Sequence, residues 1–299
     1  MKIFFSLLNI LLISLILIVV VGIEACSQKD TTVNFGGISA KFVENAPPLN
    51  VITNQNFPIY VDVKNIGDAN INKGSAKFYL QGIGQNIQNV KTSLSNINLL
   101  DKGASERFDF ASSAKSTLDL ENPFTLTMFL TSCYKYGGRS QAEICIANSN
   151  NSKICSISAS KSFSNSESPI LAESLKESII GNKLQISFNL VNKGSGEVYL
   201  PDADCDKLFL SPSKDINEVL KNGKLKVRVT ALGEEFKCDF QALQPPYNNI
   251  QDVEGAASLG GVICEKSLAG AEDHQAVLQV VFDYIYIETI SQGIVITPS

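Results

Sequence analysis

Between Lys183 and Asn192 every second residue is apolar: Leu184, Ile186, Phe188 and Leu190 alternate with Lys183, Gln185, Ser187 and Asn189. Successive side chains of an extended strand point to opposite faces, so this period places all four on one side of a sheet. A helix would scatter them around its axis. Phe57, Ile59, Val61 and Val63 repeat the pattern. Further strands are expected at residues 76–81, 124–134, 224–230, 276–286 and 293–297. Clusters of Gly, Asn, Ser and Pro lie between them, at 65–74, 148–152, 192–196 and 244–249. Many short strands separated by turn chemistry predict an all-β chain built as an antiparallel sandwich or barrel. Only residues 170–180 and 215–221 carry helix-forming residues in any density. The first of these sits where a second domain's opening strand belongs, and the other has room for two turns at most.

An internal echo organises the chain. Val61-Asp62-Val63-Lys64-Asn65-Ile66-Gly67 returns as Phe188-Asn189-Leu190-Val191-Asn192-Lys193-Gly194. Each copy ends an alternating strand in Asn-x-Gly, a turn sequence in which Asn tolerates the left-handed region and Gly enters it freely. Asn65 and Asn192 are 127 positions apart (192 − 65), close to the size of one sandwich domain. A Ser-rich stretch at 156–168 separates the copies, giving domains at 26–165 and 166–299.

Residues 3–23 are almost uninterrupted Ile, Leu, Val and Phe. A signal-peptide core holds ~7–15 apolar residues and a spanning helix needs ~20, so residues 1–25 are read as a transmembrane anchor or signal segment. Lys2 precedes the run and no other basic residue follows before Lys29, which leaves the N-terminus inside. The expected location is the cell membrane, single-pass, with an extracellular C-terminal region. Cys26 closes the run in Ile23-Glu24-Ala25-Cys26. It is either a lipidation site, with a small residue before an acylated cysteine, or a juxtamembrane thiol behind an uncleaved helix.

The formal charge of −5 and the absence of any basic block exclude a nucleic-acid footprint. Six further cysteines follow, none in a C-x-x-C pair, so disulfides behind an export signal are preferred to zinc or thioredoxin-type chemistry. Cys145 and Cys155 flank a short Asn/Ser loop and are expected to pair, with Cys133 a competitor for either. Cys238 and Cys264 lie in strand-like contexts and are expected to pair, with Cys205 as the alternative. Three cysteines per half leave one over in each, which admits a bond between halves. Asn150-Asn151-Ser152 is the only glycosylation sequon. Asp202, Asp204 and Asp206 alternate as cation ligands would, but lack the turn Gly and distal Glu of a calcium loop. The one histidine, His274, has no framed nucleophile beside it, so no catalytic residue, cofactor or metal site is assigned. Tyr284 and Tyr286 share a strand face with Phe282, as core or as an aromatic platform.

Ala46-Pro47-Pro48, the strand from Phe57 to Val63 and the Asn65-Ile66-Gly67 turn resemble immunoglobulin-like adhesion modules of CARDB type on archaeal surfaces. Cys133-Tyr134-Lys135-Tyr136, Ile144-Cys145-Ile146 and Leu278 to Tyr286 are similar to archaeal membrane-anchored proteins of uncharacterised function. The resemblance spans nearly the whole region after the anchor, and its strand-and-turn motifs specify fold rather than activity. It implies two tandem immunoglobulin-like antiparallel β-sandwiches preceded by one N-terminal transmembrane helix. The implied role is a non-enzymatic cell-surface adhesion or envelope-assembly module binding protein or glycan, or else a structural subunit or anchor of a surface filament. The expected partners are the membrane, through the helix, and a surface protein or glycan.

Overall fold

The computed structural model describes residues 35–149, 152–157, 161–210, 215–240 and 256–299. The first copy of the repeat supplies β1 (Ile38–Phe42), β2 (Asn56–Asn65), β3 (Ala76–Gln81), β4 (Ser105–Ser116) and β5 (Phe124–Ile146). The second supplies β6 (Ile170–Ile180), β7 (Lys183–Asn192), β8 (Glu197–Tyr199), β9 (Lys224–Ala231), β10 (Gly260–Ser267) and β11 (His274–Thr297). Two short helices, α1 (Cys205–Phe209) and α2 (Ile216–Val219), lie between β8 and β9.

The alternating apolar residues do what their period requires. Phe57, Ile59, Val61 and Val63 of β2 are 0–3 % exposed, as are Leu184, Ile186, Phe188 and Leu190 of β7 at 0–2 %. Each repeat builds a four-stranded sheet with the same order. In the first, β1, β2 and β4 are followed by Ile87–Gln88, and in the second β6, β7 and β10 are followed by Lys237–Phe240. A ten-stranded sheet receives the remaining principal strands in the order β9-β11-β5-β3. Between the first pair of layers, the Phe78 ring of β3 lies 4.5 Å from that of Phe108 on β4.

Two strands hold the repeats together. β5 and β11 pair antiparallel without a register break, from Phe124 opposite Ile296 to Ile146 opposite His274. At ~3.3 Å per residue such a ladder is roughly 75 Å long. Residues on both sides of position 165 therefore share one sheet, and one apolar core runs through both repeats. From position 35 onward the described residues cluster as a single compact unit.

Several elements run longer than their sequence signals. Strands expected at 276–286 and 293–297 are one strand, β11, and the strand expected at 124–134 continues to Ile146 as β5. The intervening residues lose their apolar alternation yet stay extended, because they remain in the unbroken ladder with the neighbouring long strand. Residues 170–180 form β6 despite their helix formers. The strand pairs with β7 and absorbs a bulge between Glu173 and Lys176, where Ser174 takes φ 59°. The stretch at 215–221 does contain a helical turn, α2. Among the described residues, no helix is long and apolar enough to cross a membrane. The expected anchor at 1–25 and Cys26 lie outside the described residues.

Candidate functional site

The centre of the β5–β11 ladder carries Tyr134-Lys135-Tyr136 opposite Tyr284-Ile285-Tyr286. Period two turns all four tyrosines inward, where they are 0–3 % exposed and packed edge to face at 5.8–6.2 Å between ring centroids. A buried phenol needs a hydrogen-bond partner. Tyr134 Oη accepts from Ile38 N at 3.0 Å, and Tyr136 Oη from Ala69 N at 3.1 Å. In the second repeat Tyr284 Oη pairs with Ser168 Oγ at 2.7 Å, and Tyr286 Oη accepts from Gly196 N at 2.7 Å. Burial pushes the Tyr136 phenol up to about 12 and raises those of Tyr134, Tyr284 and Tyr286.

The Asn-x-Gly echo meets these tyrosines. Asn65 Nδ2 donates to the Ala69 and Leu100 carbonyls, both at 2.8 Å, while its Oδ1 accepts from Gly67 N at 3.2 Å. Asn192 Nδ2 donates to Gly196 O at 2.7 Å and its Oδ1 accepts from Gly194 N at 3.0 Å. The glycines are required for a different reason from the one the sequence offers. Neither Gly67 nor Gly194 has a positive φ. A Cβ on Gly67 would fall 2.0 Å from Tyr136 Oη, and one on Gly194 would fall 2.1 Å from Tyr286 Oη. The repeated motif is thus a seat for a tyrosine.

The outer side of the same ladder is covered by α1 and α2, while β8 extends the sheet by pairing with Ile285–Ile287 of β11. Ala203, Cys205 and Leu208 pack with Tyr199 of β8 on Tyr79, Cys133, Ile285 and Ile287. A disulfide between Cys133 and Cys205, with Cα atoms 6.0 Å apart, crosses from the first repeat to the second. Cys145 is bonded to Cys155 (Cα–Cα 5.6 Å) and Cys238 to Cys264, which face each other in register on Lys237–Phe240 and β10. The sequence left Cys133 and Cys205 as competitors within their own halves. The signal for their pairing was the odd cysteine in each half.

The Asp202, Asp204 and Asp206 triplet is engaged within the protein. Asp204 caps α1, its Oδ1 accepting from Asp206 N at 2.9 Å. Lys77 and the Tyr79 hydroxyl both bind Asp206, and the Lys77 ammonium holds its carboxyl below the usual range. Asp202 pairs with Lys221. Among the described residues no group of three His, Cys, Asp or Glu side chains is placed to hold a metal ion. His274 opens β11 with Nδ1 2.6 Å from the Glu272 carbonyl oxygen. Asn150, the sequon residue, lies outside the described residues.

Two surface depressions lie among the described residues. One, about 630 Å³, lies on the outside of β1, β2 and β4, where Arg107 grips Asp62 through Nε and Nη2 at 2.7 and 3.0 Å between Lys41 and Lys64. The other, about 390 Å³, lies between β9 and β11 beside Glu143, Leu232 and Val277. Neither holds a nucleophile paired with a base.

No protein-family model matches this chain, and no curated protein does. Among solved structures, a secreted serine protease, VesC from Vibrio cholerae, aligns at 11 % identity and TM-score 0.20, over 85 % of this chain and 51 % of its own. The chain thus spans about half the length of that protease. The collagen-binding domain of the Erysipelothrix rhusiopathiae surface protein RspB aligns at 12 % identity and TM-score 0.16, over 89 % and 91 %. At these scores neither likeness carries an argument about fold or activity.

Proposed function

We propose that the chain is a non-enzymatic, membrane-anchored surface protein that presents a rigid extracellular β-body for adhesion or envelope assembly. The observation that supports this most is the three disulfides, because such bonds persist in oxidising compartments outside the cytoplasm. The apolar run at 3–23 supplies the export signal and the stem, with Cys26 as a lipidation site if the stem is cleaved. Asn150 is the glycan acceptor. We read the body as two immunoglobulin-like sandwiches of CARDB type, of archaeal origin, fused along the β5–β11 ladder. A body so cross-tied moves little on binding, so recognition falls to its loops and exposed sheet faces. The partner is a surface protein or glycan.

Protease shaving of intact cells, followed by crosslinking and mass spectrometry, tests this reading. It predicts release of peptides from residues 35–299 and crosslinks to envelope components. Peptides protected in intact cells and released only after lysis would refute it.

A further inference from the structure

The cover formed by α1 and α2 leaves part of the outer face of the ten-stranded sheet open, and that part has unusual chemistry. Alternation along β5 and β11 brings Thr125, Thr127 and Phe129 beside Ser291 and Gly293, with Gln81 of β3 next to Phe129. Phe129 is 41 % exposed, and nothing lies within 4 Å of where a Gly293 side chain would begin, so the space beside the ring is open. None of these residues is charged. The repeat provides an internal comparison. Phe129 stands five residues before Tyr134, the place Gln279 holds before Tyr284, and the strand opposite Gln279 carries Arg139 and Glu143 where Thr289 and Gly293 stand. Arg139 and Glu143 are thus the two charges that one half of the outer sheet surface carries and the other replaces, while Gln275 and Val277, the counterparts of Thr125 and Thr127, are uncharged in both halves.

An uncharged sheet face left to solvent, with Val295 opposite Thr125, invites non-specific association. The hydroxyls of Thr125, Thr127 and Ser291 make no hydrogen bond to another described residue. An apolar protein partner would strand them without partners, at a cost per group. A chain of neutral sugars meets both demands, because its C–H faces cover an aromatic ring and its hydroxyls exchange hydrogen bonds with threonine, serine and glutamine. We propose that this face binds a neutral polysaccharide, with a sugar ring over Phe129 and its neighbour lying across the open backbone at Gly293. This rests on the adhesion reading and names the partner class for it.

The test is affinity electrophoresis of the full chain in detergent through gels containing dextran, mannan, galactomannan or hydroxyethyl cellulose. Retardation by at least one is expected, weakened about tenfold by Phe129→Ala, as for an aromatic at the centre of a contact. Gln279→Ala, at the equivalent place in the other repeat, is expected to leave it unchanged. No retardation in any gel overturns the proposal, as does retardation that Phe129→Ala leaves intact. Self-association of the chain that Phe129→Ala abolishes also overturns it, since a second copy then covers the face. A surface partner captured from intact cells equally well by the Phe129→Ala variant would sink this inference and leave the adhesion reading standing.

Discussion

Replacing Asn65 by Ala should be among the most damaging single changes in the first repeat. Asn65 is fully buried and its side chain makes three hydrogen bonds, to Ala69 O, Leu100 O and Gly67 N. Losing a partner costs a buried polar group ~1–3 kcal/mol, whereas a group that water can reach loses less. Leu100 and Gly67 are buried and Ala69 is half-buried, so two groups bear most of the penalty. Together they give a destabilisation of ~3 kcal/mol. At ~2–4 °C per kcal/mol for a body of this size, the melting temperature should fall by ~6–12 °C. Asn192→Ala should cost less, because Asn192 is only half-buried and its third bond, accepted from Tyr286 Oη at 3.4 Å, is longer than the one Asn65 makes to Leu100. Asn65→Asp should be worse than Ala at neutral pH, since a carboxylate would face two carbonyl oxygens it cannot donate to. Thermal unfolding by circular dichroism under non-reducing conditions ranks the three. Equal, small shifts for Asn65→Ala and Asn192→Ala would refute the idea that the repeat's Asn anchors the turn through buried bonds.

Gly194→Ala places a methyl against Tyr286 Oη and should cost ~1–3 kcal/mol, part of which Tyr286→Phe recovers in the double variant. Strict additivity of the two changes would contradict a steric seat. The raised phenols make a pH prediction. Tyr136 ionises at about 12 in the fold but near 10 when unfolded, so its stabilisation is whole below pH 10 and is lost as pH climbs toward 12. The slope is ~1.4 kcal/mol per pH unit for each such tyrosine, and urea midpoints that stay level from pH 9.5 to 11.5 would contradict it. Non-reducing peptide mapping should recover Cys133 joined to Cys205. Cys133 joined to Cys145 or Cys155 would remove the covalent tie between the repeats.

The strand faces were legible because burial on one side of a sheet writes a period of two into the sequence, as in β2 and β7. The repeat was legible too, through Asn65-x-Gly67 and Asn192-x-Gly194, although the reason for the glycines was not. Their need comes from tyrosines 69 and 92 positions away (136 − 67 and 286 − 194), and no local pattern reports such an approach. The same holds for β5 and β11. Buried on both faces at their centres, they lose the alternation that would mark them, and their length is set by each other. Tyr134-x-Tyr136 and Tyr284-x-Tyr286 form a visible pair in the chain, but that they stack together follows only from the register. The cover formed by α1 and α2 left one trace, the unpaired cysteine in each half. Alternation puts Phe129 and Tyr134 on opposite faces of β5, but which face is sealed follows only from the layers packed against it.

Amide hydrogen exchange resolved along β5 and β11 tests most directly whether the two repeats form one cooperative body. If they do, the amides flanking Tyr134, Tyr136, Tyr284 and Tyr286 exchange only on global unfolding. The inner strands β2 and β7 then open with the same free energy. Were β6, β7 and β10 to exchange together at a markedly lower free energy while β1, β2 and β4 stayed protected, the shared ladder would not be what holds this protein together.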